Sequence, residues 1–449
     1  MPEKLDLTEL GSTGLPRYGG YVYDEILPEL SGSRWRRIVR EMTSNDPVIN
    51  AVLFSIEMLV RQVTWDVTAA SQDNGDLEAA AFVKGALDDM STTWPDTVAE
   101  ILTFLPWGWS YPELVYKRRG GDVNDPTRRS RFTDGKVGWR KWAPRAQETL
   151  DRWEFDDSGG VRAMFQTPPP DFKLRHIPIE KALLFRTTTR KGNPEPPGIL
   201  RACYRPWYFK TRIENIEGIG IERDLAGLPV VYGPPELFAA NAKAEDKALL
   251  ALLQRIATSI KRDEQEGLVF PLVYDPKSGK PLYDLKLLTS GGRRQFDTDK
   301  VIQRYDQRIL MTVLADFLML GHQKVGSFAL SSDKTDLFGV ALGAWLDSIC
   351  AVVNRHAIPR LFKLNGRRTD RLPSLTHGDI ESPDLNELGE YISKISGTGV
   401  KLNPRQQQWL LKQIKGMPVD EETLEQGADE GADDEPDDEP DEAEETEGN

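Results

Sequence analysis

From Ser33 onward the apolar residues fall three and four apart, the spacing that gathers them on one side of a helix. Trp35, Ile38, Val39 and Met42 form such a side, with Arg34, Arg36, Arg37 and Arg40 spread around the rest. Ser44-Asn45-Asp46-Pro47 then reads as a new start: Asn45 or Asp46 can cap, and Pro47 suits a first turn. Val52, Ile56, Val60 and Val63 keep the helical spacing, and two more helices are predicted over about 77–90 and 95–105. The period then changes. Segments 110–117, 139–143, 152–156 and 161–166 are short, strand-like and parted by Gly/Asp turns. Segments 137–144 and 153–165 read as successive strands of a small antiparallel sheet, 176–186 as a further strand and 187–197 as a loop.

Two long helices are expected next. Residues 199–226 carry Leu200, Cys203, Trp207, Ile213, Ile216 and Ile219 on an apolar side, with Pro206 either bending the helix or opening its main body. Residues 244–266 carry the stripe Leu249, Leu253, Ile256 and Ile260, over roughly 35 Å at 1.5 Å per residue. A short strand and a Pro-Pro turn lie between them, so the expectation is a hairpin of two long helices with a small structured tip. Strands at 268–274 and 282–289 flank a turn at 275–279. A helix over 298–320 keeps Ile302, Tyr305, Ile309, Val313, Phe317 and Leu320 in register, with Gly321 as its stop. The polar, small-residue stretch 321–336 predicts a loop, and helices are expected at 337–353, 384–395 and 404–414. With residues 1–32 as an extended arm, the fold class is α+β.

Charge sharpens this picture at one end. The 449 residues are enough for two or three domains, and their formal charge is -14. Residues 420–449 alone carry seventeen acids and no Lys or Arg; setting them aside leaves 54 acids against 57 bases, a net of +3. The body is nearly neutral, and 419–449 is predicted to be a disordered acidic tail. That tail is either a protein-binding or DNA-repelling segment, or simply a solubilising one.

Candidate chemistry is sparse. Two cysteines, Cys203 and Cys350, exclude a disulfide framework and a thiolate metal cluster, and both sit on helical apolar sides. The four histidines, at 176, 322, 356 and 377, have no paired metal-ligand spacing; His176 and His356 read as local hydrogen-bonding residues. No apolar run reaches the ~18–20 residues of a membrane span, and the N-terminus lacks a signal-peptide layout, so a soluble protein of a reducing compartment is expected. Gly218-Ile219-Gly220 lies inside a helical pattern and reads as close helix packing, not a phosphate loop. No Walker A sequence is present, since Lys334-Thr335 lacks the glycines. Trp107, Trp109 and Tyr111 are core residues or base-stacking ones. Segment 117–145 carries ten Lys and Arg, which form either a phosphate-facing patch or a solvated rim.

The order of elements, together with Ile199–Val231 (ILRACYRPWYFKTRIENIEGIGIERDLAGLPVV) and the preceding ALLFRTTTRKGNPEPPG, resembles the portal proteins of tailed bacteriophages, particularly the Mu-like branch. The likeness extends over roughly 30–415 and is most specific at 180–235. It implies a homo-oligomeric ring, usually of twelve subunits, at one capsid vertex. Through it double-stranded DNA would pass without sequence recognition, in packaging and in ejection. The implied partners are the large terminase ATPase, a head-tail adaptor, and the major capsid and scaffolding proteins; no membrane, cofactor, metal or catalytic activity is implied.

On the same resemblance, 33–198 and 267–296 form a wing, 199–227 and 244–266 the two stem helices, and 228–243 a clip. The tunnel helix and loop occupy 297–337, and the crown 338–418. Leu228, Val230, Val231, Tyr232, Leu237 and Phe238 are the expected clip contacts between subunits. His322, Lys324, Ser327, Ser331, Ser332 and Lys334 are the expected DNA-facing residues of the tunnel loop, with an ordinary surface loop as the plain alternative. Two other classes stay open: a non-portal virion or tail scaffold protein, and a nucleic-acid-processing enzyme using Asp316, Asp333, Asp336 and Glu381.

Overall fold

Asp46 is where the first sequence signal becomes geometry. In a computed structural model, which describes residues 9, 11–226, 228–239, 241–259, 273–274, 276, 279–281, 283–288, 297–315 and 328–380, Asp46 separates helix α1 (Gly32–Asn45) from α2 (Pro47–Gln62). Its Oδ1 accepts the N–H groups of Val48 and Ile49, both at 3.0 Å, and Pro47 occupies the first turn. Val39 and Met42 of α1 and Ile49, Val52, Ile56 and Val60 of α2 are buried, as the spacing requires. Helix α3 (Asn74–Asp88) follows, then α4 (Trp94–Leu102), capped by Thr93, and α5 (Phe104–Trp107). Gly108 ends α5 with φ 93°, and a Cβ there would lie 1.8 Å from the Pro196 carbonyl oxygen. Only glycine permits that approach.

The strands divide differently from the expected single sheet. Val137–Ala143 pairs with Glu113–Arg118, whereas Leu150–Phe155, Val161–Gln166 and Arg175–Pro178 form a separate antiparallel sheet. Trp109, Tyr111 and Trp153 pack edge to face beneath the latter, with ring centroids 5.2 and 5.5 Å from Trp153. A second aromatic chain runs Trp65, Trp94, Trp142, Trp139 at centroid spacings of 5.6, 5.3 and 5.5 Å. Of the two readings of Trp107, Trp109 and Tyr111, burial makes Trp109 and Tyr111 core.

Helix α6 (Leu200–Ala226) has Pro206 inside it rather than at its start. Helix α7 (Ala244–Ser259) is followed by α8 (Thr298–Thr312), which ends in a turn with Leu314 at φ 60°, short of the expected 298–320; residues 316–320 lie outside the described residues. Helix α9 (Phe328–Val352) begins nine residues before the expected start, so backbone 328–336 is helical where a loop was expected. Short polar residues suit the first turns of a helix, where N–H groups need acceptors, and they mimic a loop in composition. A π turn, Val353–Ala357, joins α9 to α10 (Ile358–Leu364).

Residues 338–377, expected in the crown, are packed into the same base as α1–α5. Ser374–His377 pairs with Trp65–Thr68, more than three hundred residues earlier. Asn365 exchanges hydrogen bonds with the Val137 backbone at 2.8 and 2.9 Å, and Phe362 meets Phe82 edge to face. Span Leu337–Leu364 also corrects the hydropathy reading: it is one helical run of 28 residues, with mean hydropathy 1.6 in its most apolar window, long enough to cross a membrane. Its side Phe338, Leu342, Leu346, Ile349, Val353, Ile358 and Leu361 is buried in the base, which makes it a core helix here.

Candidate functional site: a helix pair and its tip

Gly198 delivers the chain into α6. A Cβ there would lie 2.1 Å from the Pro106 carbonyl oxygen, so the Gly/Pro loop is shaped by that close approach. The first turns of α6 are then anchored: Leu200, Cys203 and Trp207 are buried, and Arg201 donates twice to Glu25, at 2.7 Å each. This bidentate pair is the strong form of a surface ion pair. Burial pushes the Cys203 thiol up to about 12, so it behaves as a small core residue.

The partner of α6 is α8, not α7. Cys203 Sγ lies 3.9 Å from the Ile309 carbonyl, Phe209 stacks on Tyr305 at 6.3 Å and 21°, and Thr298 bonds Glu217. As numbers rise along α6 they fall along α8, so the two are antiparallel. Among the described residues α7 packs on the tip, and the expected pairing of 199–227 with 244–266 gives way to pairing of α6 with α8; residues 260–266 lie outside the described residues. Apolar spacing shows that a helix has a buried side; it does not say against which helix.

One ammonium ties the pair to the base. Lys210, 2 % exposed, lies 2.5 Å from Asp306 of α8, 3.0 Å from the capping Asp46, and 4.0 Å from Glu214. Burial works to lower the Lys210 pKa, but the adjacent carboxylates of Asp306 and Asp46 outweigh it and hold the pKa above the ordinary value. Burial, with a smaller push from the Asp46 charge, holds Asp306 above the usual carboxylate range despite Lys210. A single cation thus fixes the start of α2, the middle of α6 and the middle of α8. Nothing in the lysine's sequence neighbourhood marks it; Asp46 was found only as a cap.

Beyond this joint, α6 has exposed apolar residues. Ile216 is 68 % exposed and Ile219 50 %. A Cβ at Gly218 would meet nothing within 4 Å, so within this chain that glycine serves no close packing.

The tip is built differently from the sequence expectation. Leu228–Tyr232 pairs antiparallel with Asp284–Leu288 of the same chain, in the register Leu228 to Leu288, Val230 to Lys286, Tyr232 to Asp284. Residues 284–288 were expected in the wing; pairing places them in the tip, where they occupy one edge of the 228–232 strand within the same chain. Leu237 is buried and packs with Leu253 of α7 around Gly233, whose would-be Cβ is 3.1 and 3.7 Å from their methyls. Val230 and Val231 are half-buried, while Tyr232 and Phe238 are exposed. Tyr274 and Pro281 form an antiparallel bridge across the turn expected at 275–279.

Of the expected channel residues, His322, Lys324 and Ser327 lie outside the described residues, and Ser331, Ser332 and Lys334 fall in the first turns of α9. Asp333 and Asp336 share those turns, and Asp316 and Glu381 lie outside the described residues. The basic segment 117–145 is partly structural. Lys117 is buried 3.1 Å from Asp89, and Arg119 stacks on Phe132 at 3.6 Å while bonding Asp134 at 3.2 Å. Arg118, Arg128, Arg129 and Arg131 remain exposed.

Three solved structures resemble this one at low identity. They are the virion of a native gene transfer agent particle (TM-score 0.49, 10 % identity, covering 84 % of this chain and 92 % of that chain), the neck of the native particle computed with C12 symmetry (0.47, 10 %, 85 % and 94 %), and an HK97 family phage portal protein from Corynebacterium diphtheriae (0.42, 12 %, 77 % and 95 %). The family model described as the portal protein of Mu bacteriophage matches residues 36–415. With that match running from α1 past the end of the base, the chain belongs to the Mu bacteriophage portal protein family.

Proposed function

We propose that this chain is a structural, non-enzymatic portal subunit. It assembles, as about twelve copies, into a ring at one vertex of a phage capsid, where double-stranded DNA passes during packaging and ejection. The observation that carries the reading is the family match over 36–415. In this assignment the stem is the antiparallel pair α6 and α8, held by Lys210, and the clip comprises Leu228–Tyr232, α7 and Asp284–Leu288. The base, including 338–377, is the wing. The segment between α8 and α9 is the tunnel loop, and its His322, Lys324 and Ser327, with Ser331, Ser332 and Lys334 at the head of α9, face the DNA.

The physical chemistry suits a conduit. A body of net charge near +3 can pass a polyanion without gripping it, since each neutralised phosphate steepens salt-dependent binding. Head-to-tail contacts close rings, and Ile216, Ile219, Tyr232 and Phe238 are apolar surface for such contacts. The clip is then the surface on which the large terminase and later the head-tail adaptor dock, and the wing faces the capsid and scaffolding proteins. The virion is its place of action, reached by assembly in the host cytoplasm.

Negative-stain imaging of the purified chain tests the reading: rings with a central hole are expected, and a compact monomer or dimer at micromolar concentration overturns it. Changing Lys324 and Lys334 together to Glu tests the loop. Intact rings and procapsids with impaired packaging or retention are expected; full packaging and retention removes the loop from the channel.

A further inference from the structure

A cavity of about 400 Å³ lies away from the helix pair, between the Ser158–Gly160 turn, the segment Ile179–Leu184 and the junction of α9 with α10. Two guanidiniums and an imidazole line it: Arg186, Arg360 and His356. Each guanidinium is steered by one backbone carbonyl. Arg186 Nη1 donates to Asn193 O at 3.1 Å, and Arg360 Nη1 to Ala182 O at 2.6 Å. Among the described residues no carboxylate lies within 4.0 Å of Arg186, His356 or Arg360, and His356 makes no side-chain hydrogen bond. Elsewhere in the base the half-buried and buried cations Arg36, Lys117, Arg119, Arg145 and Arg201 each have a carboxylate partner. Arg140 and Arg367 share that lack of a carboxylate among the described residues, but they do not line this cavity.

The backbone contributes to the arrangement. The π turn Val353–Ala357 carries His356 and hands directly to α10, which carries Arg360 four residues on. Such one-turn bulges are costly in a helix and recur where a side chain has to be re-aimed. The charged groups around these three side chains are Arg355 on the same turn, Glu180 beside Arg360, and Glu9, which with Thr13 lines the side formed by the arm. Asp156, under the Ser158–Gly160 turn, is already occupied by Ser158 Oγ and Gly160 N–H, each at 2.7 Å. Burial lowers the pKa of Arg186 and of Arg360, and burial with Arg360 and Arg355 lowers that of His356; a bound anion would relieve all three.

We propose that this cavity binds a compact phosphate group, free or carried as a monoester, between Arg186, Arg360 and His356. The two planar guanidiniums offer fork-shaped pairs of N–H donors to tetrahedral oxygens, and the imidazole supplies a third direction. The volume exceeds that of a lone phosphate, leaving room for a small attached group. The inference does not depend on the ring reading.

Equilibrium dialysis of the full chain against radiolabelled inorganic phosphate, at ionic strength held constant with chloride, tests it. One saturable site per chain is expected. Arg186→Met and Arg360→Met are each expected to weaken binding about tenfold or more, and His356→Gln severalfold. His356 is exposed and makes no hydrogen bond among the described residues, so that variant keeps the test valid if either arginine variant misfolds. A parallel arm with glycerol 2-phosphate separates the sources: tighter binding than inorganic phosphate assigns the site to a monoester, and equal or weaker binding to the free ion. Absence of saturable binding for both probes, or affinities unchanged in all three variants, overturns the proposal.

Discussion

The base and the outer half of α6 with its tip are made from similar residues put to opposite uses. In the base, Trp109, Tyr111 and Trp153 bury their rings against one another, and Trp65, Trp94, Trp142 and Trp139 form a second chain. Past Lys210, Ile216, Ile219, Tyr232 and Phe238 turn comparable apolar surface outward. The base buries its aromatic clusters within one chain, although Phe54, Phe172 and Val340 are exposed there too. The outer region leaves part of its surface for something else, and in the proposed ring that is the neighbouring copy. Lys210 sits at the boundary between the two regimes.

The largest expected effect breaks that boundary. Lys210→Met leaves Asp46 and Asp306 as buried carboxylates without their cation, which should cost roughly 3–5 kcal/mol in urea unfolding. Adding Asp306→Leu should restore part of it, because the orphaned charge is removed; a loss under about 1 kcal/mol for the single change would show that the joint is not buried. Trp153→Ala in the base should cost about 3–5 kcal/mol by cavity formation. By contrast, Ile216→Ser with Ile219→Ser should leave the stability of the isolated chain within about 0.5 kcal/mol at each site while reducing ring yield on a sizing column. Equal destabilisation by the Trp153 and Ile216/Ile219 changes would erase the contrast.

The tip gives a finer test. Val230 faces Lys286 and Tyr232 faces Asp284 across the strand pair. Val230→Asp would therefore oppose a cation and be tolerated, whereas Tyr232→Asp would put like charges directly opposite, at about 0.2–1 kcal/mol. Hydrogen exchange of the 228–232 amides should quicken in the second variant and not in the first. The smallest effect concerns acid. Burial alone would raise Asp89, but its bonds to Ser130, the Arg131 N–H and Lys117 win and hold its pKa below the ordinary 3.8. Its contribution is present above that ordinary value and is lost as pH falls through the lowered folded one. Asp89→Asn should be less stable at neutral pH and lose less on acidification below 3.8, checked by thermal melts at pH 7 and pH 3.

Much of the molecule was legible in the chain because the signals are local. The Asp46-Pro47 start, the helical sides of α1, α2 and the first turns of α6, the strand at 161–166, and the Gly/Pro loop into α6 each depend on residues a few positions apart, where spacing and capping chemistry act directly. The order of those elements also sufficed to suggest the family. What the chain alone did not decide was partnership. The same apolar stripe lets α6 pack on α7 or on α8, and the same strand at 228–232 can pair with a neighbour or with 284–288. Pairing of 65–68 with 374–377 joins segments that no periodicity links. Helix α9 reached back into a stretch whose serines and lysine look like a loop, and local composition carries no trace of the anchor that its later residues from Phe338 onward find in the base. The gathering of Lys210 with Asp46 and Asp306 in the interior, and of Arg186 with His356 and Arg360 around a cavity, arises only when distant segments are brought together. Sequence spacing measures distance along the chain, and the energies that chose these partners depend on distance through space.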